Sequence, residues 1–230
     1  MSVSGKFIIY VTHVEETDSS HDACLKFWAQ KERIALSYLD SCLKSLSNHF
    51  ENSPAPENLH YLYGGQMLCA FIDNIWIRVR LLNPNQSRSE QLDVFCVDYG
   101  KVCSVHKEQI RVLPSFKTRE VQFLEEYSPF VSRFILKDFI IPKPILESSL
   151  CYLQKNFVNQ YWNGLSAGMD GDWEKIELFS ASNTSLATDL IKKGIGLAPA
   201  DFESELSPNG TGQVDVRQGK RNIDMTAKPK

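Results

Sequence analysis

No two cysteines in this chain are spaced C-x-x-C, and none pairs with a nearby histidine at zinc-ligand spacing. That excludes a zinc ribbon or finger. The six cysteines, Cys24, Cys42, Cys69, Cys96, Cys103 and Cys151, mostly sit in apolar runs, where a thiol behaves as a small hydrophobe; they read as reduced and structural, as in a cytosolic protein. Charge of one sign is also lacking. The formal net charge is −3, with an isoelectric point near 6.0. Such a balance gives no global attraction to nucleic acid or anionic lipid, although a local patch is allowed. No apolar stretch approaches the ~18 residues of a membrane-spanning helix. The N-terminal run Phe7–Val11 falls short of the ~7–15 residues of a secretory core. Asn-x-Ser/Thr triplets at 85–87, 183–185 and 209–211 then have no glycosylating context. There is no Gly-x-Ser-x-Gly, P-loop or His-Glu-x-x-His pattern, and Gly194-Ile-Gly196 follows a helix instead of opening one.

What is present is an ordinary soluble composition, 43% hydrophobic and 23% charged over 230 residues, enough for one large core or two small ones. Residues 6–15 and 23–30 are β-branched and aromatic and predict two strands around a polar turn. Ile34, Leu36, Leu39, Leu43 and Leu46 fall at helical spacing, so an amphipathic helix is expected from Glu32 to near Phe50, before a proline-containing linker. Then comes a block of short strands. "GGQMLCAFID" and "NIWIRVRLL" are joined by Asp73-Asn74, a pair suited to a tight turn; "QLDVFCVDYG" and "KVCSV" form a second hairpin; "HKEQIRVLP" closes the block as a short turn or helix. Four or five strands in so few residues imply a small, strongly bent barrel. Beyond Pro114 the pattern predicts a strand over 130–142, a helix from Ile145 to Trp162, a strand over 173–182 and a last short helix ending near Gly194. Residues 201–230 hold few large apolar side chains and are expected to be a disordered tail.

The order and spacing of "CAFIDNIWIRVRLL", "DVFCVDYGKV" and "IRVLPSF" resemble the extended Tudor family. The resemblance covers about residues 5–200. It implies a mainly β fold with helices (α+β), with a five-stranded Tudor barrel (58–115) inserted into a staphylococcal-nuclease-like, OB-type subdomain (5–55 and 116–200). It also implies a non-catalytic interaction module. Glu15, Glu16 and Asp18 in one turn, with Arg133 far along the chain, do not match the nuclease pattern, and no metal or cofactor is expected.

Tudor barrels hold methylated cations in an aromatic cage, because ring faces attract a large, weakly hydrated cation. By resemblance the cage positions fall on Phe71, Ile77, Cys96 and Tyr99, with Lys101 where the family places an asparagine. Two walls are aromatic, two are not, and the polar partner is a cation. A like charge at a partly desolvated site costs on the order of a kcal/mol or more. Weak or absent methylarginine recognition is therefore expected, unless Tyr61 or Tyr63 completes the enclosure. The groove is then left for unmodified arginine, an acidic segment or another protein surface. Tyr99 reads equally as barrel packing and as ligand contact, Phe71 as half core and half pocket, and Trp76 as core. Asp98 reads as a turn cap, or as an acid that holds an arginine. Arg78 and Arg80 share a strand face; with Arg88 and Lys101 they form either a solvated face or a modest basic patch. The family implies Piwi-type or fellow Tudor partners in the germline small-RNA (piRNA) machinery and its cytoplasmic granules, with no membrane. The competing reading is an RNA-binding module on the OB and Tudor surfaces.

Overall fold

The computed structural model describes residues 6–15, 23–31, 33–56, 66–83 and 90–199. The expected tail, the acids Glu16 and Asp18, Tyr61, Tyr63 and Arg88 lie outside the described residues. Strands β1 (Lys6–Val14) and β2 (Ala23–Gln30) begin the chain and β8 (Val131–Ile141), β9 (Tyr161–Asp170) and β10 (Trp173–Phe179) come late; these five close one barrel in the order β1-β2-β8-β10-β9. Alternating apolar residues fill it: Ile9, Val11, Leu25, Phe27, Phe134, Leu136, Ile176 and Leu178 are buried. Helices α4 (Leu146–Asn156) and α5 (Leu186–Lys192) add Leu146, Leu153, Leu186 and Leu190 to the same core.

Between β2 and β8 the chain builds a second, antiparallel sheet. Its strands β3 (Leu68–Ile72), β4 (Ile75–Leu81), β5 (Gln91–Cys96), β6 (Lys101–His106) and β7 (Ile110–Val112) run in the order β6-β5-β4-β3-β7. Asp73 and Asn74 both take positive φ, the conformation a two-residue hairpin turn demands. The fold is thus mainly β with helices, a Tudor-type sheet inserted into an OB-type barrel.

A third apolar layer joins the two. Helices α1 (Arg33–Ser45), α2 (Ser47–Asn52) and α3 (Arg119–Glu126) bring Leu39, Leu43, Leu46, Phe50, Val121 and Leu124 against Cys69 and Val97 of the sheet. β3 is accordingly buried on both sides: Leu68 and Ala70 face the sheet's inner core and Cys69 faces the helices.

Four elements depart from expectation. The first helix breaks at Leu46 into α1 and α2. The closing segment has the expected short helical turn at Lys107–Gln109 but continues into β7, which pairs with β3. α3, not anticipated, is capped by Thr118, whose hydroxyl accepts the Val121 N–H at 3.3 Å. The expected helix over 145–162 stops at Asn156, and Tyr161 and Trp162 instead open β9, which pairs with both β1 and β10.

Candidate functional site

The Asp98-Tyr99-Gly100 turn, which joins β5 to β6, is gripped by the other barrel. Gly100 sits at φ +72, where a side chain is strained, and a Cβ there would lie 2.2 Å from Trp28 Cγ. Thr12 Oγ1 lies 2.7 Å from the Tyr99 carbonyl, and Gln30 Nε2 donates to the Asp98 carbonyl at 2.6 Å. The glycine therefore serves the turn and the seam together.

Asp98 neither caps its own turn nor faces a ligand. It is 1% exposed, and its carboxylate takes Arg78 in a fork: Nε donates to Oδ2 at 2.9 Å and Nη2 to Oδ1 at 2.6 Å. Oδ1 also accepts the Phe130 N–H at 3.2 Å. Arg78 is fully buried. Its Nη1 donates to the carbonyls of Leu124 and Tyr127 at 3.1 and 2.8 Å, its Nη2 reaches Ser128 O at 3.4 Å, and the guanidinium lies 5.5 Å from the Phe130 ring. The arginine that Asp98 holds belongs to this chain. Neither Arg78 reading survives: it is not on a solvated face, and it joins no basic patch. Arg80 emerges alone on that strand face, and Lys101 pairs with Asp73 at 3.5 Å.

Of the cage positions, the structure brings three together. Ile77 (4% exposed) and Cys96 (0%) belong to the sheet's own apolar core, and Tyr99 packs on that core. Burial, then the charges of Asp40 and Asp98, pushes the Tyr99 hydroxyl up to about 12. Burial also raises the Cys96 thiol, whose sulfur lies 3.7 Å from that of Cys103, so it stays a protonated packing group. Phe71 stands apart. Its register partner is Trp76 whereas Ile77 pairs with Ala70, and its ring leans on Trp76 at 5.3 Å. Trp76 in turn packs on Phe50 at 4.9 Å, as core. Lys101 is the cross-strand partner of Cys96, so its ammonium stands at the same end of the sheet. Among the described residues, no three His, Cys, Asp or Glu side chains come within reach of one metal ion.

Another arrangement was not anticipated. Trp28 meets Phe95 at 5.6 Å and Trp173 at 6.0 Å, and the Arg133 guanidinium lies 4.8 Å from the Trp28 ring and 5.6 Å from that of Trp173. Lys26 Nζ lies 5.2 Å from Trp173. Trp28 and Arg133 are register partners on β2 and β8, a pairing that sequence reading misses because the two strands are a whole inserted sheet apart. A cleft of about 390 Å³ lies near this seam, lined by Lys31, Glu126, Tyr127, Phe130 and their neighbours.

A Tudor-type sheet placed between the second and third strands of an OB-type barrel, joined by a helical layer, is the extended Tudor architecture. The sequence profile of the Tudor domain matches residues 4–126, and the chain belongs to that family. The extended Tudor domain of Drosophila melanogaster Tudor-SN (p100) superposes with a TM-score of 0.65 at 18% identity, over 85% of this chain and 86% of that one. Domain TD3 of mouse TDRD1, solved with a MILI peptide containing dimethylarginine, gives 0.63 at 20% identity, over 86% and 95%. An aspartate-to-alanine variant of the Drosophila melanogaster Papi extended Tudor domain, solved with a Piwi N-terminal peptide carrying unmethylated arginine, gives 0.65 at 18%, over 85% and 100%. At these identities the likeness establishes the fold. No curated protein sequence matches the chain significantly.

Proposed function

We propose that this chain is a non-catalytic interaction module that takes arginine-bearing segments of partner proteins with little or no preference for methylation. The observation that carries this reading is the state of the second and third cage positions: Ile77 and Cys96 are 4% and 0% exposed and belong to the apolar core, so neither offers a ring face to a cation. Lys101 adds a positive charge at that end, only partly offset by exposed Asp73. An unmodified guanidinium loses least in such a site, because it binds through its five N–H donors and needs no cage. The Papi complex with an unmethylated peptide supports the reading. Piwi-type proteins or other Tudor proteins are the proposed partners, and germline small-RNA granules of the cytoplasm the proposed setting.

Calorimetry with one Arg-Gly peptide in symmetrically dimethylated and unmodified forms tests this. The expected result is two affinities within a factor of about three, less than ~0.7 kcal/mol apart. Micromolar binding with clear preference for the methylated form would overturn it, and would point to Tyr61 or Tyr63 as missing walls.

A further inference from the structure

Cations and rings form a connected series that crosses the seam between the two barrels. Arg80 and Phe95 are register partners on β4 and β5. The Phe95 ring meets Trp28; Arg133 lies over both Trp28 and Trp173; Lys26 lies over Trp173. Arg80 and Arg133 are exposed, while Lys26, Phe95 and Trp173 are half-buried. Lys31, Lys101, Lys107, Lys137, Lys175 and Lys193 sit within 4 Å of a carboxylate; among the described residues Lys26, Arg80 and Arg133 have no such partner, and neither do Lys6, Lys44, Lys117, Lys155 and Lys192, so it is their place beside the rings that marks the three out. Two acids face the series. Glu15, just after β1, feels Arg133 and Lys26, and Asp93 stands two residues before Phe95 on the same strand face. β2 and β8 are the second and third strands of the OB-type barrel, the face that such barrels use for oligomeric ligands.

A purely structural stack would leave its cations paired or buried. Here Arg80 and Arg133 are exposed, Lys26 is half-buried, and rings lie between them, which suits a ligand with repeated negative charges and flat groups between them. We propose that the series Arg80–Phe95–Trp28–Arg133–Trp173–Lys26 is a binding site for single-stranded nucleic acid, with phosphates on Arg80, Arg133 and Lys26 and bases on Phe95 and Trp173. The site is separate from the Ile77–Lys101 end of the sheet and does not depend on the reading given for it.

Fluorescence anisotropy of a labelled twelve-nucleotide oligouridine tests the proposal, with its duplex and a polyglutamate peptide as comparators. The single strand should bind at low salt and win over both. Arg80→Gln and Lys26→Gln should each weaken binding severalfold and each reduce the salt slope by about 0.7. Trp173→Leu should cost about tenfold, as one lost base stack does. Arg80 lies outside the Trp28–Arg133–Trp173 stack, so its variant reports binding even where substitution within the stack disturbs folding. Absence of oligouridine binding at low salt, equal binding of polyglutamate, or binding untouched by both Arg80→Gln and Lys26→Gln would overturn the proposal.

Discussion

Glu15 shows how burial and attraction compete at one residue. Its Oε2 is buried without a hydrogen-bond partner among the described residues, while Arg133 and Lys26 draw its carboxylate toward the ionised form. Burial wins, and the carboxyl is raised above the ordinary range. A raised folded pKa means that the folded state holds this proton more tightly than the unfolded chain. The ionised group therefore weighs against folding at neutral pH, and the penalty disappears as pH falls through the folded pKa toward the unfolded value. Glu15→Gln should unfold at higher urea than the parent at pH 7, with a margin that narrows toward pH 4. A variant weaker than the parent at pH 7 would show that Arg133 and Lys26 outweigh burial. Residue roles of this kind were the least legible in the sequence. Arg78 and Arg80 look alike on β4, but only Arg78 lies under the segment that links α3 to β8, and its carboxylate partner, Asp98, is on another strand. That Ile77 and Cys96 carry no rings was legible, but only the resemblance to the extended Tudor family marked them as cage positions.

Elements were easier to read where their period was strong. β1, β2, β4 and β8 are rich in branched and aromatic residues, and their bounds follow the pattern closely. β9, "YWNGLSAGMD", has no β-branched residue and two glycines, so local propensity argues against it. Its place is set by neighbours on both sides: Gly164 lets the Ile176 side chain pass, since a Cβ there would lie 2.7 Å from Ile176 Cδ1. α3 is short and polar on average, and its signal reduces to Thr118 with Val121 and Leu124 spaced three apart. The two glycines give contrasting expectations. At Gly164 the obstructing atom is the end of a flexible side chain, so Gly164→Ala should cost little. At Gly100 the obstructing atoms are the Cβ and ring root of Trp28, and the backbone conformation alone costs a side chain about 1–2 kcal/mol. Gly100→Ala should lower the melting temperature well beyond Gly164→Ala and shift the tryptophan emission, since Trp28 must move. Equal effects of the two changes would remove Gly100 from the seam.

At the scale of the molecule, three apolar cores exist, and the Arg78–Asp98 pair stands where they meet. Asp98 belongs to the inserted sheet, Phe130 and Ser128 lead into the OB-type barrel, and Leu124 belongs to the helical layer. Five N–H donors find five acceptors drawn from all three parts. Such a pair contributes little net energy against an apolar replacement, yet removing one partner alone strands a buried charge and typically costs about 3–5 kcal/mol. Its structural consequence is coupling: neither sheet can leave without breaking the fork. The parent should therefore unfold in one transition, with near-UV and far-UV signals coinciding. Arg78→Met leaves Asp98 charged and unpaired between the barrels, so the inserted sheet should release first and the two signals should separate. Adding Asp98→Asn removes the stranded charge but keeps an oxygen for the Phe130 N–H, so the double variant should regain part of the lost stability and bring the transitions back together. If Arg78→Met melts in one step at the parent's midpoint, the fork does not couple the barrels, and the seam is held by Trp28, Gly100 and the Thr12 and Gln30 hydrogen bonds alone.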